Sequence, residues 1–419
     1  MKKIFIIIIY LLYTPAFANA QNMDNPFNVA LKTLQNKGYL AAIDSLKKLE
    51  SSYLNSPFKD LQYQCLATYY DFVGNRKQAA ICWDKFQVPA NYTPAIADSN
   101  FLPKNLQAIS AKNYLEQQAE KYQVLMINEA HTYSPHRLLT TSLLKELYLK
   151  GFQYFAVETL SYKDTLLNMR KYPEFLNTGF YSNEPTSGNM LREALAIGYE
   201  LVAYDDMSNC EYDNKNPKYC LNIRELNQAI NIKKIIDKNP NAKILVHAGH
   251  GHIRKKPDND WIKMADLFQR LTNIAVFSAD QTTLVSRSNP NYNNAYYQYI
   301  TQNYVFDEPI ILLDKNKNSW TMPNQIGNYD AFVITPPITN ILKLLAHYKT
   351  YKIAAKYIKI DNFLQIYVAN EGEKAVPIAQ LLIDESTQKD VKFYLPIGDY
   401  IFYITDNKGK KETLKFSLK

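Results

Sequence analysis

Hydrophobic and polar positions divide this chain into three stretches of different period. Between residues 27 and 87 apolar side chains recur at spacings of three and four, in 29–34, 41–49, 61–73 and 77–86. That spacing predicts helices. Gly38, the Asn55-Ser56-Pro57 turn and Gly74 break them into hairpins. After a linker rich in Pro, Asn and Ala at 88–103, short apolar runs alternate with helical patterns. The runs at 123–127, 154–157, 200–204, 243–246 and 273–277 read as strands, with helices at 138–149, 162–171, 188–197, 223–236 and 261–271. Such alternation predicts an α/β fold with a mostly parallel sheet and flanking helices. Runs at 309–313 and 330–335 are expected as edge strands. From 353 onward the pattern changes again. Strand-like runs at 363–368, 378–383, 392–395, 400–404 and 412–416, separated by turns such as Asp406-Asn407-Lys408-Gly409, predict a small antiparallel β-sandwich.

The first twenty residues stand outside this scheme. Lys2 and Lys3 precede an apolar run from Ile4 to Tyr13, and Ala18-Asn19-Ala20 offers a small-residue cleavage site. This is the pattern of a secretory signal peptide cut before Gln21, with the mature chain exported, periplasmic or secreted. The run is short for a retained anchor, and no later segment resembles a membrane span. The expected organisation is a signal peptide at 1–20, a helical region and linker at 21–103, an α/β domain at 104–350 and a β-sandwich at 351–419. Gly38 and Gly74 are 36 residues apart, close to a tetratricopeptide period, so the helical region is expected to be TPR-like and able to present a surface to a protein partner.

Charge and cysteine content refine the picture only slightly. The 48 basic and 40 acidic residues give a formal net charge of +8, or +6 once Lys2 and Lys3 are removed. The basic residues are dispersed. The clusters Arg254-Lys255-Lys256 and Lys408, Lys410, Lys411 read as solvated surface, so no nucleic-acid partner is expected. Four cysteines allow three pairings. Cys210 and Cys220 bracket a polar loop they could staple, Cys65 and Cys82 lie on neighbouring helices, and the alternative is buried free thiols.

The histidines change the reading most. The chain has only six. His247, His250 and His252 follow the strand at 243–246, and His131 and His136 follow the strand at 123–127. In a parallel sheet the C-terminal ends of all strands share one rim, where ligands bind. Glu129 and His131 follow the first strand, then His136 and Arg137. Glu158 ends the second strand, Asp205 and Asp206 the third, the histidine triplet the fourth, and Asp280 follows the fifth. Imidazoles and carboxylates together can hold zinc, manganese or iron with a position left for water. They can also act without metal, a histidine serving as general base and carboxylates orienting it. Ser134 lies near His131 but lacks the GxSxG elbow, which favours activated water over a covalent intermediate. Glu129, His131, Glu158 and His252 are the expected catalytic or metal-holding set. His136, Arg137, His247, His250 and Asp205 are further ligand-binding candidates, and His247 is as readily a packed core histidine.

Four segments carry a resemblance to a known family: INEAH at 127–131, GFQYFAVET at 151–159, ALAIGYELVAYDD at 194–206 and LVHAGHGHI at 245–253, with RELNQAI at 224–230 before the last. Over residues 120–280 the sequence resembles the erythromycin esterase, ChaN and Tiki superfamily. The resemblance implies ester hydrolysis, metal-dependent peptide hydrolysis or haem binding. It matches Glu129 and His131 to the family's GExH acid and histidine, Glu158 to its second-strand acid and His252 to its terminal histidine. Asn128 stands where the family has glycine. The function expected is hydrolysis of a small-molecule or peptide ester or amide by a His/Glu site, with or without a divalent metal. The competing expectations are haem or metal binding without turnover, and a scaffold for a protein partner.

Overall fold

The computed structural model describes residues 23–89, 92–93, 102–103, 105–205, 218–389 and 391–419. The proposed signal segment, Asp206 and Cys210 lie outside them. The chain forms two compact units. One runs to Thr93 and includes Arg287–Tyr292; the other is the remainder.

The first unit is helical: α1 (Pro26–Lys37), α2 (Tyr39–Lys48), α3 (Glu50–Leu54), α4 (Lys59–Phe72) and α5 (Arg76–Gln87). Asn25 caps α1 by accepting from the Phe27 N–H, and Pro26 opens the helix where its missing N–H costs nothing. Gly38 and Gly74 have φ of 84° and 74°, the left-handed turns at which the hairpins bend. The returning segment is tied in through Asp84, which accepts from the Ser288 N–H at 2.8 Å and hydroxyl at 2.6 Å. Cys65 and Cys82 are buried free thiols. The disulfide considered for them does not form, and burial raises both thiols above their ordinary range. Cys220, in the other unit, is disulfide-bonded.

The second unit holds β1 (Gln107–Ser110), α6 (Ala111–Lys121), β2 (Val124–Glu129), α7 (Pro135–Leu149), β3 (Phe152–Val157), α8 (Leu167–Arg170), α9 (Pro185–Ile197), β4 (Glu200–Ala203), α10 (Tyr219–Lys238), β5 (Lys243–Gly249), α11 (Met264–Thr272), β6 (Val276–Leu284), α12 (Ala295–Asn303), β7 (Ile310–Leu313), β8 (Ala331–Ile334) and α13 (Ile341–Leu344). Eight strands form one sheet in the order β1-β7-β8-β6-β2-β5-β3-β4. The six from β8 to β4 are parallel; β7 and β1 join antiparallel. The runs expected at the edge are therefore inside the sheet. β1, too short and polar to announce itself, takes that edge by pairing with β7. The helix expected over 162–171 shrinks to α8, because Asp164 is drawn into side-chain bonds with Arg170 and Thr178 instead of continuing a turn.

Alternate residues of one strand enter two different cores, as strand geometry requires. Val124, Met126, Ile244 and Val246 pack with Ile232 of α10 and Phe268 of α11. Leu125, Ile127 and Leu245 pack with Leu143 of α7 and Leu191 of α9 on the opposite face. A sheet covered on both sides reads as continuous apolar runs, which is why these strands were legible.

The last part of this unit is an antiparallel β region. It contains β9 (Lys349–Lys352), β10 (Phe363–Val368), β11 (Ala379–Leu382), β12 (Lys392–Leu395), β13 (Gly398–Thr405) and β14 (Lys411–Leu418). Four strands pair as β11-β10-β13-β14 and two as β12-β9, and Leu364, Phe402, Phe393 and Leu395 share one core. Among the described residues there are thirteen α-helices, and none is long and apolar enough to cross a membrane.

Candidate functional site

The chain leaving β2 runs to α7 on one face of the sheet, while the chain leaving neighbouring β5 runs to α11 on the other. Connections that diverge between adjacent parallel strands leave a crevice at the strands' C-terminal ends. Register places Glu129 beside Gly249, and His247 between Ile127 and Val157. Thus the ends of β2, β5 and β3 bring Glu129, His131, Glu158 and the histidine triplet together.

Glu129 is the hub. Its Oε2 accepts from Arg137 Nε at 2.6 Å and meets His247 Nε2 at 2.9 Å. Its Oε1 accepts from Arg137 Nη2 at 2.9 Å and meets His131 Nδ1 at 2.9 Å. All four lone-pair positions are taken. Burial opposes its ionisation, but Arg137 and the two imidazoles outweigh burial and hold it well below the usual carboxylate range. Arg137 is fully buried, and its third nitrogen donates to Glu184 at 2.7 Å. Glu184 in turn caps α9 by accepting from the Thr186 and Ser187 N–H groups.

Because an ionised carboxylate only accepts, His131 Nδ1 carries a hydrogen, and Nε2 is the nitrogen able to take a proton. That Nε2 lies 3.9 Å from Glu158 Oε1. The His131 ring is stacked under Tyr181, with centroids 4.1 Å apart. Gly249 makes this placement feasible: a Cβ there would overlap the edge of the His131 imidazole.

A second imidazole–carboxylate pair approaches Glu158 from the other side. His252 Nδ1 stands 2.9 Å from Glu225 Oε1, and its Nε2 is 3.5 Å from Glu158 Oε1. Burial alone would lower the His252 pKa, yet Glu225 and Glu158 together raise it above the ordinary histidine value. Glu158 also accepts from Arg224 Nη2 at 2.7 Å and from the Gly249 N–H. Burial opposes its ionisation too, but His252, Arg224 and His131 depress its pKa below the usual range. Arg224 is shared with Asp205, at 2.9 and 2.7 Å, and Gln228 adds a third bond to that carboxylate.

The remaining candidates have supporting positions. His247 has both nitrogens bonded, Nε2 to Glu129 and Nδ1 to Thr140 at 3.2 Å, which makes it a packed core histidine. His136 is buried against Tyr133. Its Nδ1 accepts from the Ala130 N–H at 3.0 Å, pinning the turn after β2, and burial pushes its pKa down to about 3. His250 adopts φ of +38°, unusual for a side chain with a Cβ. It is held there by its N–H donating to Glu129 O at 2.8 Å and by Asn128 Nδ2 donating to its carbonyl at 2.5 Å. Asn128 also donates to Asp280 at 2.7 Å and accepts from the Gln281 N–H, so it ties β2, the histidine loop and β6 together.

Sequence reasoning missed Glu225, Glu184, Tyr181 and the role of Arg224. Glu225 and Arg224 stand in RELNQAI, but nothing in that segment signals that α10 passes the strand ends. Tyr181 opens a single 3-10 turn and Glu184 caps α9, in a stretch too short to carry a periodic signal.

The donor set is largely committed to contacts within the protein. Glu129 has no oxygen to spare, and Arg224 and the Gly249 N–H hold Glu158. Among the described residues no group of three or more His, Cys, Asp or Glu side chains is placed to hold a metal ion. As arranged, these residues form two imidazole–carboxylate pairs facing one carboxylate. Chemically, that offers one imidazole able to accept a proton and one inclined to hold one.

No family model matches this chain, and no curated protein does. Among solved structures it is similar to the type III effector HopBA1, at 15% identity and a TM-score of 0.31, over 45% of this chain and 93% of that one. A likeness of that degree carries no argument about activity.

Proposed function

We propose that this chain is an exported hydrolase that activates water on an ester or amide. The observation that carries this is the pair of imidazole–carboxylate units, His131–Glu129 and His252–Glu225, with both Nε2 atoms within 4 Å of Glu158 Oε1. In this reading Glu129 orients His131, whose Nε2 takes a proton from water as the oxygen adds to the carbonyl carbon. His252, whose pKa its two carboxylate neighbours raise, stabilises the charge developing on the carbonyl oxygen and returns a proton to the leaving alcohol or amine. Glu158, fixed by Arg224, positions both groups. The products are an acid and an alcohol or amine, and no step is routed through a metal.

The resemblance to the erythromycin esterase, ChaN and Tiki superfamily supports the reaction class. The pattern of the first twenty residues supports export. The 36-residue spacing of Gly38 and Gly74 supports a TPR-like reading of the helical unit, and the antiparallel region is read as an accessory β-sandwich.

The test is a panel of p-nitrophenyl esters and peptide amides assayed with wild type, His131→Ala and Glu158→Gln. Metal content of protein purified without chelator and haemin titration are measured alongside. General-base loss should slow turnover by about 10²–10⁴-fold. Full activity in both variants sinks the mechanism. A Soret shift on adding haemin, with no turnover of any substrate, would replace it with binding.

A further inference from the structure

The loop that carries His252 borders a second group of polar side chains that the proposed reaction does not use. Lys263 is 3% exposed, and its ammonium makes no hydrogen bond or ion pair among the described residues. Its ammonium lies against the face of Trp261. The Trp261 Nε1 and the Arg254 Nε are both buried without a hydrogen-bond partner. Arg254 and Lys263 meet at Gly251, where a built Cβ would stand 3.7 Å from Arg254 Cδ and 3.9 Å from Lys263 Nζ, and Trp261 joins them through its ring contact with Lys263.

These groups are donors only. Lysine, the arginine Nε and the indole N–H offer no acceptor to one another, so none can satisfy its neighbour. Buried polar groups are almost always paired, and each exception needs an explanation. The carboxylates nearby do not supply it. Asp258 faces another nitrogen of Arg254, Nη1, at 3.3 Å. Glu225 Oε1 faces His252 Nδ1 at 2.9 Å, and its Oε2 accepts from the Met264 N–H at 2.8 Å.

We infer that Lys263, Arg254 and Trp261 form a cradle for an anionic oxygen group, a carboxylate or a phosphate, carried by the substrate next to its scissile bond. The inference rests on the hydrolytic reading for the word substrate and on the unpaired donors for the anion. Position supports it: Gly251 immediately precedes His252, and Lys263 immediately precedes Met264, whose N–H holds Glu225. An anion seated here therefore borders the His252 end of the site. The Lys263 environment agrees. Burial outweighs Glu225 and Asp258, with Arg254 and Arg224 adding to it, and lowers the Lys263 pKa to about 7. A bound anion would restore the charged form.

The experiment is calorimetric titration of the full chain with inorganic phosphate and, separately, with acetate, without any substrate. Wild type should bind at least one of them saturably, and which one identifies the group. Lys263→Met should weaken binding about ten- to a hundredfold, the loss of a charged hydrogen bond. Trp261→Phe keeps the ring and deletes only the N–H. It should weaken binding severalfold, and it serves as the readout if Lys263→Met fails to fold. No saturable binding of either anion, or unchanged binding in the folded variants, overturns the proposal. Because no turnover is measured, failure of the hydrolytic reading, seen as full activity of His131→Ala, is separately visible.

Discussion

Arg137 grips Glu129 with two guanidinium nitrogens, at 2.6 and 2.9 Å, in a place where neither side chain is more than a few per cent exposed. The pair lies directly beneath His131 and His247. It keeps a carboxylate ionised in the interior and so decides which nitrogen of His131 is free. Removing one partner of such a buried pair strands the other charge.

Arg137→Met should therefore cost about 3–5 kcal/mol, and Arg137→Lys should also destabilise because an ammonium cannot make the two-pronged contact. Urea denaturation of both variants measures this, and a loss under 1 kcal/mol in Arg137→Met would show the pair to be unimportant. The pH dependence follows from the same contact. The Glu129 pKa is depressed on folding, so its contribution is complete above the unfolded carboxylate value and fades as pH falls from there toward the folded pKa. Stability of wild type should fall below about pH 4.3, and the Arg137→Met variant should show a shallower acid limb.

His252 has the opposite sign. Glu225 and Glu158 raise its pKa above 6.5, so its stabilising contribution is present below the unfolded value and is lost as pH rises through the folded one. NMR titration of the histidine ring protons should place His252 above 6.5 in wild type. Glu225→Gln should bring it down. An unchanged titration would remove Glu225 from its role.

Gly249→Ala tests space rather than conformation. The added methyl would meet the His131 ring, so the imidazole must swing away from Glu129 and Glu158. Overpacking of this kind costs about 1–3 kcal/mol. The variant should fold, yet lose hydrolytic turnover as fully as His131→Ala does. Wild-type turnover in the alanine variant would mean that His131 need not stand where it does.

Asn128→Ala removes the bonds to His250 O, Asp280 and the Gln281 N–H. Leaving those buried groups unpaired should cost about 1–3 kcal/mol. Hydrogen exchange of the His250 amide, now protected by Glu129 O, should quicken more than that of amides in α9. Equal protection in both proteins would show that the loop holds its left-handed turn unaided.

Much of this protein was legible along the chain because local periodicity reports burial directly. β2, β3 and β5 are covered on both faces and read as apolar runs, and the hairpin helices repeat at three and four. INEAH, FAVET and HAGHGH stood out because scarce imidazoles follow apolar strands. Nothing local could reveal that β1 takes the sheet edge, since four residues of mixed polarity owe their strand to pairing with β7. Nor could it reveal the partners of the histidines. Glu225 and Arg224 reach the rim on α10, Glu184 bonds Arg137 across 47 residues, and Gly249 matters for the methyl it lacks. Which strand ends carry imidazole and carboxylate is written in the order of residues alone. That His131 and His252 each turn an Nε2 toward Glu158, while His247 turns its own toward Glu129, is set by the fold, because it depends on contacts made across the sheet by residues far apart in the chain.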